Sequence, residues 1–264
     1  MNHQFRTLLE DFENNYGDIP YHCEVRWLSR GKVLDRFFDL REEIAMFMEM
    51  KEKAVAELQD AKWISDLAFL TDLTNHLNEL NVSLQGKRQI ITQMYDEILA
   101  FKMKLRLWER QLQNNNSDHF PKLASIKHSP SQRDLKEYSE ILLELHEQFE
   151  SRFKDLEVLA SQFDIFVRPF SINIDSVPST LQLELIDLQC DREQKDKFLN
   201  KENLRDFYQK FPHLRFLRLN QQAANILSMF GTTYLCEQIF SVMKLRKHGQ
   251  TSNLSQENLK AVLR

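Results

Sequence analysis

Glycine and proline are scarce, 5 and 6 in a chain of 264 residues. A sheet-rich fold turns back about every 8–12 residues and needs turn formers to do so, which makes a mainly α fold the expectation. The three cysteines, Cys23, Cys190 and Cys236, lie far apart, with no C-x-x-C pair and no histidine at ligand spacing. That pattern argues against a structural zinc or a disulfide framework and for a reducing compartment. A run of about 18 apolar residues is also lacking, and the opening Met1-Asn2-His3-Gln4-Phe5-Arg6 leads into no apolar core of signal-peptide length. An intracellular protein with no membrane partner is therefore expected. Charge of one sign is missing too. The net charge is −4, so any contact with DNA has to come from a local basic patch.

What the chain has in quantity is helical periodicity. Val33, Phe37, Leu40, Ile44, Phe47 and Met48 predict a helix after Gly31, and Trp63, Leu67, Leu70, Leu73, Leu77, Leu80 and Leu84 predict another that stops at Gly86. Ile91, Met94, Ile98, Phe101, Leu105, Trp108 and Leu112 step by threes and fours in a heptad-like seam, and this helix is expected to pair with the preceding one across the Gly86 turn. A polar stretch from Asn114 to His128 predicts a loop. Ser129 as N-cap, Pro130 and Gln132 then open a long helix whose apolar face runs from Leu135 to Phe166, ahead of Pro169. Shorter helices are predicted at 181–188, 204–211, 214–230 and 255–263. The one stretch with strand character is Tyr21 to Leu28, where Tyr21, Cys23, Val25 and Trp27 alternate.

Two stretches carry candidate chemistry. The first is Val25-Arg26-Trp27-Leu28-Ser29-Arg30-Gly31-Lys32-Val33-Leu34, with Phe37 to Ile44 behind it. The second is Phe230-Gly231-Thr232-Thr233-Tyr234-Leu235-Cys236-Glu237-Gln238-Ile239-Phe240-Ser241-Val242-Met243, closing with Leu254 to Arg264. On spacing alone, Glu237 is an acid on an amphipathic helix, and such acids are usually solvated. Trp27 has two readings, a core residue by its area or a stacking platform for a base beside Arg26, Arg30 and Lys32. The basic cluster Lys244, Arg246, Lys247 and His248 suits a helix C-terminus.

With these two blocks the chain resembles the C-terminal part of hAT-superfamily transposases. The likeness is to domesticated copies, in zinc-finger BED-domain proteins and in the C-terminal half of general transcription factor II-I repeat domain-containing proteins. The resemblance implies a ribonuclease-H-like core split by a helical insertion domain. It places Arg26 and Trp27 at the core strand before the insertion, Glu237 as the third acid of an Asp-Asp-Glu set, and subunit association after it. The implied domains are 1–30, a core remnant with one or two short strands; 31–212, the helical insertion; and 213–264, a core helix with the dimerisation region.

Two-metal phosphoryl transfer needs several carboxylates converging on hard cations. The family's two Asp residues lie upstream of the Arg-Trp block, and Glu10, Asp11, Glu13, Asp18 and Glu24 do not match them. Glu237 is accordingly expected to be vestigial, and the chain to be no enzyme, with no cofactor, metal or small-molecule substrate. The expected function is association with itself or related transposase-derived chains through Phe240, Met243, Leu254, Leu259 and Leu263. Weak DNA contact at Arg26, Trp27, Arg30 and Lys32 and nuclear, otherwise cytoplasmic, localisation complete the reading. The alternative is a fragment of an active transposase or nuclease that needs upstream Asp residues or a partner chain. A third reading is a partial gene product with no function of its own.

Overall fold

In the computed structural model, residues 27–85, 90–128 and 130–229 are described, the first four by backbone alone. The helices in order are α1 (Trp27–Asp39), α2 (Arg41–Met50), α3 (Ala61–Leu84), α4 (Ile91–Gln113), α5 (Pro121–Ser125), α6 (Gln132–Val158), α7 (Ala160–Val167), α8 (Ser179–Cys190), α9 (Arg192–Leu199), α10 (Leu204–Gln209) and α11 (Leu217–Ser228). Short 3-10 turns at Ala56–Gln59 and Ile174–Ser176 complete the set. The chain is mainly helical, and no strand occurs among the described residues.

The described residues fall into two units, 27–83 with 98–153, and 84–97 with 154–229. The first is built round α3. Ser65, Leu67, Ala68, Phe69, Thr71, Asp72, Leu73, Thr74 and Leu80 are all buried, which is too many directions for one apolar stripe. Phe69 stacks on Tyr138 of α6 at 4.4 Å, and His76 stacks on Trp108 of α4 at 4.2 Å. Asn75 donates to Asp35 of α1 at 3.2 Å. At Gly31 the backbone of α1 comes so close that a Cβ would stand 1.8 Å from Asn78 Nδ2, which is why a glycine is found inside that helix.

The second unit is packed by aromatic rings. Phe166 stacks on Tyr208 at 4.5 Å, the Tyr208 hydroxyl donates to the Phe166 carbonyl at 2.8 Å, and Phe211 stacks on Phe216 at 5.1 Å. Leu185 and Leu188 of α8 and Leu219, Ala223 and Ile226 of α11 close that core. Side-chain caps fix where its helices start. Asp191 accepts from Gln194 N, Asn203 from Asp206 N, and Glu184 from the N–H groups of Arg218 and Leu219, satisfying donors that a helix start leaves open.

Several sequence expectations hold. Every member of the Ile91-to-Leu112 seam is buried. Others are corrected. The expected strand cannot run to Leu28, because α1 already begins at Trp27 and passes through Gly31 instead of starting after it; residues 21–26 lie outside the described residues, as does the turn at Gly86. Leu70 is 48% exposed while Asp72 is 2% exposed, since α3 is enclosed by neighbours on polar positions as well as apolar ones. The cap of α6 is Ser131, whose hydroxyl and N–H pair with Asp134 while Asp134 N donates back; Ser129 lies outside the described residues. The long helix breaks at Leu159, where Leu159 N bonds Leu156 O in a tightened turn. The helix expected over 214–230 runs from Leu217 to Ser228.

Burial sets the expected response to truncation. Leu73→Ala should cost about 2–5 kcal/mol of unfolding free energy, and Leu70→Ala less than about 1 kcal/mol. Urea unfolding of the two variants checks this; equal losses would contradict the placement of α3.

Candidate functional site

Of the residues singled out by sequence, Trp27, Arg30 and Lys32 fall on α1. Trp27 and Arg30 are three apart, on one face of the helix; Lys32 is roughly 140° round from Trp27 at 100° per residue, and it is exposed. A strand would have alternated these positions between two faces. Arg26, Glu237, Phe240, Met243, Leu254, Leu259 and Leu263 lie outside the described residues.

The rest of α1 binds the first unit together electrostatically. Lys122 Nζ reaches Asp39 at 2.5 Å and Asp35 at 3.3 Å and lies 5.6 Å from the centre of the Phe38 ring. Burial alone would lower the Lys122 pKa; the two carboxylates outweigh it and hold it above the ordinary lysine value. The backbone N–H groups of Lys122 and Leu123 donate to the two oxygens of buried Asp72 at 3.1 and 3.0 Å. Burial pushes the Asp72 carboxyl up, and those two amides counter part of the shift.

A second polar cluster joins α3 to α6. Lys62 Nζ contacts Asp66 at 2.9 Å, Glu137 at 2.9 Å and Asp134 at 3.1 Å. The Tyr138 hydroxyl also donates to Asp66, at 2.7 Å. Although burial acts downward, the three carboxylates carry the Lys62 pKa above its ordinary value. Burial, followed by the Asp66 contact, raises the Tyr138 hydroxyl. Three acids converge here, as they would on a metal, yet an ammonium already occupies the centre. Elsewhere in the unit Lys102, itself buried, pairs with Glu150 at 2.7 Å. No group of three His, Cys, Asp or Glu among the described residues is placed to hold a metal ion.

In the second unit a cleft of about 530 Å³ is lined by Lys197, Lys201 and Lys210 with Gln194 and Phe207, and by the acids Glu202 and Asp206. Lys201 Nζ stands 3.5 Å from the centre of the Phe198 ring and donates to the Phe198 carbonyl at 3.0 Å. Partial burial lowers its pKa. Sequence reasoning found neither this cleft nor the Lys62 cluster. The four-residue step from Lys62 to Asp66 was legible as a helix ion pair, but nothing local announces Asp134 and Glu137 as their partners.

The architecture thus defines an all-helical scaffold, over its described residues, whose polar clusters join helix to helix. Residues 1–113 match the family described as the FAM200/GTF2IRD2 helical domain. Over its whole length the chain is 46% identical to general transcription factor II-I repeat domain-containing protein 2 of Bos taurus, and over 94% of its length 46% identical to the protein of that name from Mus musculus. It spans 27% and 26% of the length of these two relatives. No solved structure matches it.

The Lys62 cluster has a definite pH signature. The Lys62 contact holds Glu137 below its usual range, and Asp134 is also lowered, because its bonds to Ser131 and Lys62 outweigh the opposing effect of burial. Stability from such lowered carboxylates is present above their unfolded values, about 4, and is lost as pH falls through the folded ones. Lys62→Met should therefore lower the urea midpoint slightly at about pH 7, the small effect appropriate to a partly exposed network. The gap to the parent chain should close below about pH 4. Urea midpoints across pH measure it, and a gap independent of pH would contradict the assignment.

Proposed function

We propose that this chain is the transposase-derived part of a domesticated hAT-type protein, that it is not an enzyme, and that it works by association with itself or related chains. The observation that carries the reading is the 46% identity along the full chain to a general transcription factor II-I repeat domain-containing protein, together with the Arg26-Trp27 and Glu237 blocks that resemble the transposase pattern. A ribonuclease-H-like core remnant at the two ends of the chain belongs to this proposal, as does nuclear localisation, by analogy with relatives whose name refers to general transcription factor II-I repeat domains. The non-catalytic reading draws support from what the described acids do. Asp35 and Asp39 face Lys122, Asp66, Asp134 and Glu137 face Lys62, and Asp72 accepts from backbone amides, so each serves packing. The residues proposed to associate are Phe240, Met243, Leu254, Leu259 and Leu263.

Weak DNA contact is a second part of the proposal. The cleft lined by Lys197, Lys201 and Lys210 favours it, since lysines neutralise phosphates. Glu202 and Asp206 in the same cleft keep that contact weak.

Two measurements test the reading. Sedimentation at micromolar concentration should show association that is lost when about the last 35 residues are removed; a monomer in both cases would count against it. Incubation with Mg²⁺ or Mn²⁺ and hairpin or duplex DNA should give no nicking or strand transfer. Metal-dependent cleavage that disappears in Glu237→Ala would instead establish the alternative, an active nuclease fragment.

A further inference from the structure

α4 carries two seams. One is the buried row from Ile91 to Leu112. Half a turn round the same helix, Asp96, Leu99, Ala100, Met103, Leu107 and Arg110 follow one another in steps of three or four, and all are exposed. Leu99 and Leu107 are each 40% exposed and Met103 67%. A single exposed leucine means little, but three large apolar side chains in one row on an otherwise charged face form a strip that water solvates poorly.

The charges along this row say what covers it. Asp96 lies seven residues before Met103 and Arg110 seven after it, two helical turns each way. α4 is uninterrupted from Ile91 to Gln113, so that register is fixed by the helix itself. Two copies laid antiparallel about a two-fold axis through Met103 put Leu99 against Leu107 of the other copy at both ends and Met103 against its own counterpart. The same operation sets Asp96 beside Arg110 of the other copy, twice. A parallel pairing would set Asp96 on Asp96 and Arg110 on Arg110. Among the described residues, Arg110 Nε donates to the Arg106 carbonyl and engages no carboxylate. Burial and then the neighbouring charge of Asp164 raise the Asp96 carboxyl against the opposing charge of Arg168, so a second cation would relieve it.

We propose that the outer face of α4 is a self-association surface and that its occupant is the same face of a second copy, antiparallel, centred on Met103. This rests on the reading of the chain as an association protein and adds an interface separate from the one proposed after Glu237. The contacting stretch is about 21 Å long at 1.5 Å per residue, shorter than a standard interface of about 800 Å² per partner requires, so the contact is weak alone.

Sedimentation of the full chain over a concentration series at low salt tests it. Asp96→Arg and Arg110→Asp each turn two attractions into two repulsions, and each should weaken self-association about tenfold or more. Mixing these two variants should restore it, because each then meets its complement, and so should the double variant in one chain. Met103→Glu should abolish the α4 contribution with the far-ultraviolet circular dichroism unchanged. Single variants that associate like the parent chain, or a mixture that fails to recover, overturn the proposal. Leu259→Glu in the full chain separates the two readings. If it alone abolishes association and the α4 variants have no effect, the α4 surface falls and the C-terminal one stands; if the α4 variants act and Leu259→Glu does not, the reverse holds. A parent chain that stays monomeric at every concentration overturns both.

Discussion

The first unit depends on one buried carboxylate. Asp72 sits on α3 at 2% exposure, and a charge there is tolerable only when its oxygens are hydrogen bonded. Lys122 N and Leu123 N meet that need, and in doing so they fix the course of the chain from Phe120 to Leu123. Phe120 is thereby held against Phe69, His76 and Trp108, from both α3 and α4. The side chain of Lys122 is delivered to Asp35 and Asp39 on α1. One carboxylate therefore sets the register of three helices. Replacing it with an apolar group would take the acceptor from two amides, that of Leu123 buried and that of Lys122 partly so, and a buried donor left unpaired costs more than a surface ion pair contributes.

This dependence also explains what the sequence could and could not disclose. A helix such as α4, covered on one side, obeys a period of three and four, and its seam was legible residue by residue. α3 is covered on several sides. Its leucine row is then only one of its buried directions, so Leu70 lies outside while Thr71, Asp72 and Thr74 lie within, and no periodicity rule selects those three. The cap of α6 was misplaced by two residues for a related reason. Ser129-Pro130 and Ser131 both suit a helix start, and the choice is made by Asp134, which bonds Ser131 and at the same time meets Lys62 of α3, a partner some seventy residues away. At Trp27 and Leu28 the alternation of apolar residues suggested a strand, yet helix formation overrode it, and Gly31, which looked like a boundary, proved to be a position where any Cβ would collide with Asn78. The residues on which the transposase resemblance rests are in large part those outside the described residues, so that likeness stands on sequence.

The two faces of α4 differ in the kind of free energy they supply, and the difference bears on how the chain would associate. The inner seam is apolar, buried throughout, and insensitive to salt. Its outer seam is a short apolar strip bounded by charges of opposite sign, whose attraction is screened over a Debye length of about 8 Å at physiological ionic strength. Such a strip discriminates strongly between antiparallel and parallel neighbours, because the wrong orientation sets like charges together, while contributing little affinity of its own. Joined to a second contact in the same pair of chains, it would act at the effective concentration set by that tether rather than at the bulk concentration. Weakness is then compatible with function. Orientation is supplied by the charges of α4 and persistence by the other contact, and a salt-dependent geometry within a salt-resistant assembly follows from dividing the two tasks between different surfaces.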